Sequence, residues 1–485
     1  MYLTDRPMSV IRPVRSLFGV CVMLLILGSS AGAIESQGGG QEKTAVPPAS
    51  GKLTLAQCIE IAINRNSQVL IAQRQVESSQ ALAYSSWSGI MPTVNASILN
   101  VNHNRSGDRI VQQNAPIGRA PDGSVIYGRV PTSQPGSSLT NYSSGLSVSQ
   151  PLYDGGRWWR NIQQARQNVQ NSSLNVDSAE RQVALTVKQQ YYNLLKAMRL
   201  QEVFEEQVKL SEEQLKRSDS MYEIGSVAKV DVLQARANLG EVRVSLLRQQ
   251  QAVLQAKAVL NTAMGLNVNA PIDIVDDVIS DATEPPVPMT LDQAMPDALR
   301  ENPDIRRLTG SVESAKLSVK IARGALLPSV NGSLGYQRFS SELNRVYGNF
   351  GKNWTVSFGL NMSLNVLNGT QTYANIDRTQ ADLLVAEENL ELLKRSTALD
   401  IKQALLNLET ARQVVTLSNE TILASEEGLR LAQERYRVGS GTLLDIFNAQ
   451  VILARAKSNL VTAQYDYKIA QAALDKATGR PVKER

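Results

Sequence analysis

The 485-residue chain carries 50 Lys and Arg against 45 Asp and Glu, and its formal charge of +5 falls to +3 once residues 1–33 are set aside. So small an imbalance excludes the electrostatic footprint of a nucleic-acid-binding protein. Aromatic residues are scarce at 5%, and long stretches of Ala, Gln, Leu and Val suit extended helices better than a bulky globular core.

Arg6, Arg12 and Arg15 precede an apolar run from Leu17 to Leu27 and the small residues Ala31-Gly32-Ala33. These are the three parts of an export signal, assigned to residues 1–33. The apolar run of 11 residues is too short for the ~20 a spanning helix needs. Residues 34–52 read as a flexible N-terminal segment. Of the two cysteines, Cys21 lies in the leader, so Cys58 alone remains and no internal disulfide forms. Neither cysteine is preceded by a lipoprotein motif. No later segment offers ~20 continuous apolar residues, so any membrane crossing falls to strands.

From Leu53 onward the chain repeats itself. Leu53-Thr54-Leu55 recurs as Met289-Thr290-Leu291, and an offset of 236 holds through Asn66 and Asn302 to Pro92 and Pro328. Beyond that the offset becomes 214, pairing Gly155 with Gly369, Tyr222 with Tyr436, Asp231 with Asp445 and Gly265 with Gly479. The 22 extra residues of the first half fall in the stretch from Asn104 to Thr140, whose Gly, Pro, Ser and Asn predict a surface loop. A first repeat over 53–285, a second over 286–479 and a tail over 480–485 follow. A solenoid would repeat every ~20–50 residues, and more than twice.

Each repeat holds a proline-free helical pattern, from about Arg157 to Tyr222 and from about Gln371 to Tyr436. At ~1.5 Å per residue each makes a rod of ~100 Å, far beyond an ordinary globular helix and in the range of coiled-coil assemblies. Ile162, Val169, Val176 and Val183 form one seven-residue stripe. In the last helix Ile446, Leu453, Leu460, Tyr467 and Leu474 form another, beside an alanine stripe of Ala449, Ala456, Ala463, Ala470 and Ala477. An alanine stripe lets a neighbouring backbone approach closely. Val232, Leu239, Leu246, Val253 and Leu260 are its counterpart in the first repeat.

Period-two alternation predicts four strands. They run through Val94, Ala96 and Ile98; Leu146, Val148 and Leu152; Val330, Gly332, Leu334 and Tyr336; and Val356, Phe358, Leu360, Met362, Leu364 and Val366. Four strands leave two edges that lipid does not tolerate. Closure needs more than one chain, with eight strands from a dimer or twelve from a trimer.

The pattern resembles the TolC-like outer-membrane efflux family, the outer-membrane factors of tripartite efflux and type I secretion systems, over about Leu53 to Gly479. The resemblance is carried by the starts at Leu53 and Met289 and by the strands after Pro92 and Pro328. It is carried further by Gln150-Pro151-Leu152-Tyr153-Asp154-Gly155-Gly156 with its weaker copy ending Leu367-Asn368-Gly369. Its most specific residues are the hairpin tips Tyr222-Glu223-Ile224-Gly225-Ser226 and Tyr436-Arg437-Val438-Gly439-Ser440. The resemblance implies a mainly α fold with a transmembrane β portion. Long antiparallel coiled-coil-like helices would form a periplasmic α-barrel, and four strands per chain would enter the twelve-stranded barrel of a homotrimer. It also implies a Gram-negative outer membrane, contact with its lipid, and two partners: a periplasmic adaptor and an inner-membrane transporter.

By the same resemblance, Asp445 and Asn448 occupy the pore constriction, and Tyr436 and Asp231 match a pair that hydrogen-bonds to hold the closed state. Asn448 replaces an acidic residue and Gly441 a gating arginine, so the charged ring and its latch are reduced. Gly225, Ser226, Gly439 and Ser440 fall at the tips where the adaptor docks. Simpler roles stand beside these: Thr442 to Asp445 reads as a capping box, and Gly225 and Gly439 as permissive turn residues.

The sequence implies no cofactor, no metal site and no enzyme. His103 is the only histidine and has no Cys, Asp or Glu cluster around it, which argues against histidine triads and common zinc sites. Two functions from different classes follow, a passive exit duct and a periplasmic coiled-coil scaffold or adhesin without a pore. Alternating strands in both repeats favour the duct.

Overall fold

The computed structural model describes residues 52–276, 290–348 and 351–479. The leader, almost all of the segment 34–52, the repeat boundary at 285/286 and the tail 480–485 lie outside the described residues.

Both repeats open with the same device. Helix α1 (Leu55–Arg65) is capped by Thr54 and α5 (Leu291–Glu301) by Thr290. In each case a glutamine three residues on, Gln57 or Gln293, reaches back to the cap N–H at 3.0 and 3.1 Å. These are reciprocal capping boxes, and they explain the duplicated Thr-x-x-Gln. Asn66 and Asn302 then cap α2 (Ser67–Ser85) and α6 (Pro303–Gly324) by accepting from Gln68 N and Asp304 N.

A short 3-10 turn (Ser86–Ile90) leads from α2 into β1 (Thr93–Arg105). β2 (Arg109–Arg119), β3 (Val125–Gln134) and β4 (Ser138–Tyr153) follow. Two helices come next, α3 (Arg157–Glu223) and α4 (Lys229–Ala263). The second repeat continues after α6 with β5 (Ser329–Ser340), α7 (Leu343–Gly348), β6 (Trp354–Ser363), α8 (Gln371–Arg437) and α9 (Leu443–Thr478). Both rods, α3 and α8, are 67 residues long, as the proline-free patterns predict.

β1, β4, β5 and β6 form one antiparallel sheet in that order. Its register sorts the side chains by chemistry. Val94, Val148, Leu334 and Phe358 lie side by side across all four strands, and Ala96, Leu146, Tyr336 and Val356 form the next row. The opposite face carries rows of Asn95, Ser147, Gly335 and Ser357, then Thr93, Ser149, Ser333 and Gly359. One face is thus apolar and the other small and polar, because successive side chains in a strand alternate sides. β6 ends at Ser363, so Leu364 and Val366 continue the apolar pattern beyond the paired strand.

The expected loop between Asn104 and Thr140 is instead mostly strand. β2 and β3 pair as a separate two-stranded antiparallel sheet that extends the β1–β4 hairpin. Backbone ladders do not require apolar alternation, and the residues Gln112-Gln113-Asn114 gave no periodic signal. In the second repeat the short α7 takes the equivalent place between β5 and β6.

On the sheet side the helices run in the order α2, α3, α6, α8, and towards the far end in the order α4, α3, α9, α8. Cys58, Ala62 and Val69 pack with Val187, Leu194 and Leu195 of α3 and Leu260 of α4 in the main core. Ala294, Ala298, Ile401, Ala404 and Leu474 form its counterpart in the second repeat. Ala456, Ala463 and Ala470 of the alanine stripe are buried. Burial pushes the Cys58 thiol up to about 12, which makes it a packing residue and a poor nucleophile. Gly265 and Gly479 end α4 and α9 at φ +72° and +76° against Arg65 and Asn302 respectively, so the duplication extends to its helix stops. No described helix is long and apolar enough to cross a membrane.

Candidate functional site

The end of the molecule away from the sheet consists of two helical hairpins. Each first helix stops in the same way. After Tyr222 and Tyr436, Gly225 and Gly439 turn left-handed at φ +77° and +74°. Gly225 N bonds Tyr222 O and Ser226 N bonds Met221 O; Gly439 N and Ser440 N repeat this with Tyr436 O and Arg435 O. This paired bonding is the Schellman stop, which needs a residue tolerant of positive φ. No atom lies within 4 Å of a Cβ built at either glycine, so backbone conformation alone selects them. Gly225→Ala and Gly439→Ala are each expected to cost ~1 kcal/mol or slightly more, read as a lowered thermal midpoint with helicity retained.

Asp445 begins α9. Its carboxylate accepts from Thr442 N at 2.9 Å while Thr442 Oγ1 accepts from Asp445 N at 3.3 Å. The capping role is therefore present. The bond from Thr442 N is the main cause holding the Asp445 carboxyl below its ordinary 3.8. Its folded value being depressed, it stabilises the helix start at pH above the ordinary value, and that contribution is lost as pH falls through the folded value. Asn448 lies one turn on and is exposed.

Tyr436 packs against the small apolar cluster of Leu429, Ile446 and Leu453. Its hydroxyl is buried beside Ser218. Burial raises its pKa, the Asp231 carboxylate raises it further, and Ser218 opposes both. The structure thus brings Tyr436 and Asp231 into electrostatic reach without the hydrogen bond that the resemblance implies. Asp231 itself sits in the first turn of α4, where a carboxylate suits the helix dipole.

A polar layer near this end was not anticipated from the sequence. Ser211, Gln214 and Ser218 of α3 are buried, as is Gln450 of α9. Asn238 of α4 donates to Ser211 Oγ at 3.4 Å, and Gln450 Oε1 is buried without a partner. The spacing 211, 214, 218 is an interior heptad pattern written in polar residues, and that spacing was the available signal. Beside this layer a groove of about 790 Å³ runs between α3 and α8, lined by Glu213, Arg217, Met221, Gln433, Tyr436 and Arg437 among others.

A family model described as "Outer membrane efflux protein" matches residues 58–266 and 294–480. The chain belongs to the outer membrane efflux protein family. The efflux protein is 26% identical over 385 residues to the outer membrane efflux protein BepC of Brucella suis biovar 1 (strain 1330), covering 78% of this chain and 82% of that one. It is 22% identical over 346 residues to the outer membrane protein TolC of Escherichia coli (strain K12), covering 70% and 69%. Among solved structures, VceC from Vibrio cholerae aligns with a TM-score of 0.70 at 16% identity, covering 88% of this chain and 97% of that one. The open state of MtrE from Neisseria gonorrhoeae aligns at 0.67 and 22% identity, covering 88% and 89%. The efflux protein is therefore a TolC-like channel protein of the outer membrane. Its relatives are named as outer membrane and outer membrane efflux proteins.

Proposed function

We propose that three copies of the efflux protein close a twelve-stranded barrel in the outer membrane and continue into the periplasm as an α-helical tunnel. In this reading the tunnel is a passive exit for substrates handed over by an inner-membrane transporter through a periplasmic adaptor. The observation that carries it is that both layers of the chain end in unfinished edges. β1 and β6 are the outer strands of a four-stranded sheet, and open edges do not persist in lipid. In the helical layer the outermost helices are α2 and α4 on one side and α8 on the other.

Those edge helices carry apolar stripes with nothing against them. Leu233, Leu247 and Leu254 of α4, and Val385, Leu392, Leu399 and Leu406 of α8, are all 53–69% exposed and fall on seven-residue spacings. A head-to-tail contact, with β6 and α8 of one copy against β1 and α4 of the next, covers strand edge and helix stripe together and closes a ring. Bacterial barrels need at least ~8 strands, which one chain does not supply, and the family resemblance favours three copies over two.

At the far end, Asp445 and Asn448 border the constriction in this proposal, Tyr436 and Asp231 brace it, and Gly225, Ser226, Gly439 and Ser440 form the adaptor contact. Single-channel conductance of the purified mature protein in planar bilayers tests this. Wild type is expected to give small, cation-preferring currents, and Asp445→Ala larger ones with weaker preference. Because the Asp445 carboxyl titrates below its ordinary 3.8, the preference should survive acidification to about that pH and fade below it. Unchanged selectivity in Asp445→Ala would leave the residue a helix cap and no more. Absence of any channel from every oligomeric preparation would put the scaffold or adhesin reading in its place.

A further inference from the structure

Cations collect where the sheet gives way to the helices. α3 opens with Arg157 and Arg160 and has no acidic residue in its first turn, an arrangement the positive end of a helix dipole disfavours. Lys320 and Arg323, near the end of α6, lie beside them. Arg160 Nη1 donates to Lys320 O at 2.8 Å, and Arg157 packs so closely on Gly324 that a Cβ there would meet its Cγ at 2.7 Å. Buried Asp154 lies 3.7 Å from Arg157 and accepts from Trp158 N at 3.0 Å. Among the described residues Arg160, Lys320 and Arg323 make no ion pair, and Lys320 and Arg323 are exposed.

An aromatic group stands at the same level. Trp87 and Trp159 meet edge to face at 6.3 Å, and the Arg166 guanidinium sits over the Trp87 ring at 5.5 Å. Trp158 lies against Gly89 of the 3-10 turn. Gln150 ties that turn to the end of β4 by donating to Ile90 O at 3.0 Å. Tyr84, Tyr153 and Trp159 are exposed. The apolar sheet face runs down to Leu152 and stops at this group, so the charged cluster begins where the lipid-facing band ends.

We propose that Arg157, Arg160, Lys320 and Arg323, flanked by Trp87 and Trp159, bind the headgroups of anionic glycerophospholipids in the leaflet on the helical side of the membrane. The proposal rests on the reading that the sheet lies in the bilayer. Exposed aromatic rings favour the headgroup level of a membrane. Cations there attract anionic lipid, and a zwitterionic headgroup brings its own positive charge and neutralises such a cluster less well. Continuity with the apolar band selects a lipid over a soluble phosphate.

Bromolipid quenching of tryptophan fluorescence tests it. Three of the four tryptophans are at the junction, and the fourth, Trp354, starts β6 at the other end of the sheet. The mature protein carrying Trp354→Phe is reconstituted with equal mole fractions of brominated phosphatidylglycerol or brominated phosphatidylcholine. Phosphatidylglycerol is expected to quench about five-fold more efficiently per lipid, the enrichment due to roughly one cation at an anionic surface. High salt, and separately Lys320→Gln with Arg323→Gln, should remove the difference; the salt arm needs no variant to fold. Equal quenching by the two lipids overturns the headgroup site and leaves the barrel standing. Quenching by neither lipid overturns both.

Discussion

Phe358→Arg is expected to strip the outer membrane of assembled protein, while Ser357→Arg is tolerated far better. Phe358 is 80% exposed on the isolated chain and lies in the row with Val94, Val148 and Leu334. A guanidinium on the lipid-facing side of a barrel strand costs about 2–4 kcal/mol near the midplane. That is a large fraction of the ~5–15 kcal/mol that typically separates folded from unfolded protein. Ser357 belongs to the opposite row of small polar residues, where in the proposed barrel a charge would meet water. The readout is the amount of heat-resistant oligomer recovered from outer-membrane fractions. Equal loss in both variants, or in neither, would mean that the two faces are not lipid and water.

Leu392→Glu combined with Leu254→Glu should dissolve the oligomer while leaving the chain helical. Both residues are more than half exposed in one copy and belong to no core cluster, so the single chain loses little packing. In a closed ring each would be buried, and an unpaired carboxylate there costs several kcal/mol; in the proposed trimer the penalty would repeat at each interface. Light scattering after extraction in mild detergent is expected to show monomer, with circular dichroism near that of wild type. An intact oligomer of unchanged mass would mean that other surfaces hold the copies together. Loss of helicity would show these leucines acting within the chain.

How far the sequence carried the fold depended on whether a feature was local or periodic. Thr442 with Asp445 announces a helix start, and Gly225 and Gly439 announce stops. Each acts through its own backbone and needs no distant partner. The rods α3 and α8 and the apolar rows of the sheet were legible because period seven and period two survive over many residues. The β2–β3 hairpin was not, since its ladder is held by backbone bonds that Gln112, Gln113 and Asn114 serve as well as valines would. Ser211, Gln214, Ser218 and Gln450 were missed for a related reason: polar residues on a long helix read as a solvated face until a neighbouring helix covers them.

The residues proposed for the constriction separate along the same line. The capping bond of Asp445 could be read from Thr442 three positions earlier, and the structure has it. Contact between Tyr436 and Asp231 depends on how two hairpins sit together, and there the structure has proximity and burial but no bond.

The capping box at Asp445 also limits how such a duct can be tuned. A carboxylate on a free side chain could swing in or out of the passage while the walls stayed still. In the proposed duct, where Asp445 borders the passage, one carboxylate oxygen is tied to the main chain of Thr442, so its negative charge would move with the start of α9. Aperture and charge density are then geared to each other. Widening the passage necessarily dilutes its field, so a dilated duct of this build should discriminate little between ions, whatever drives it open.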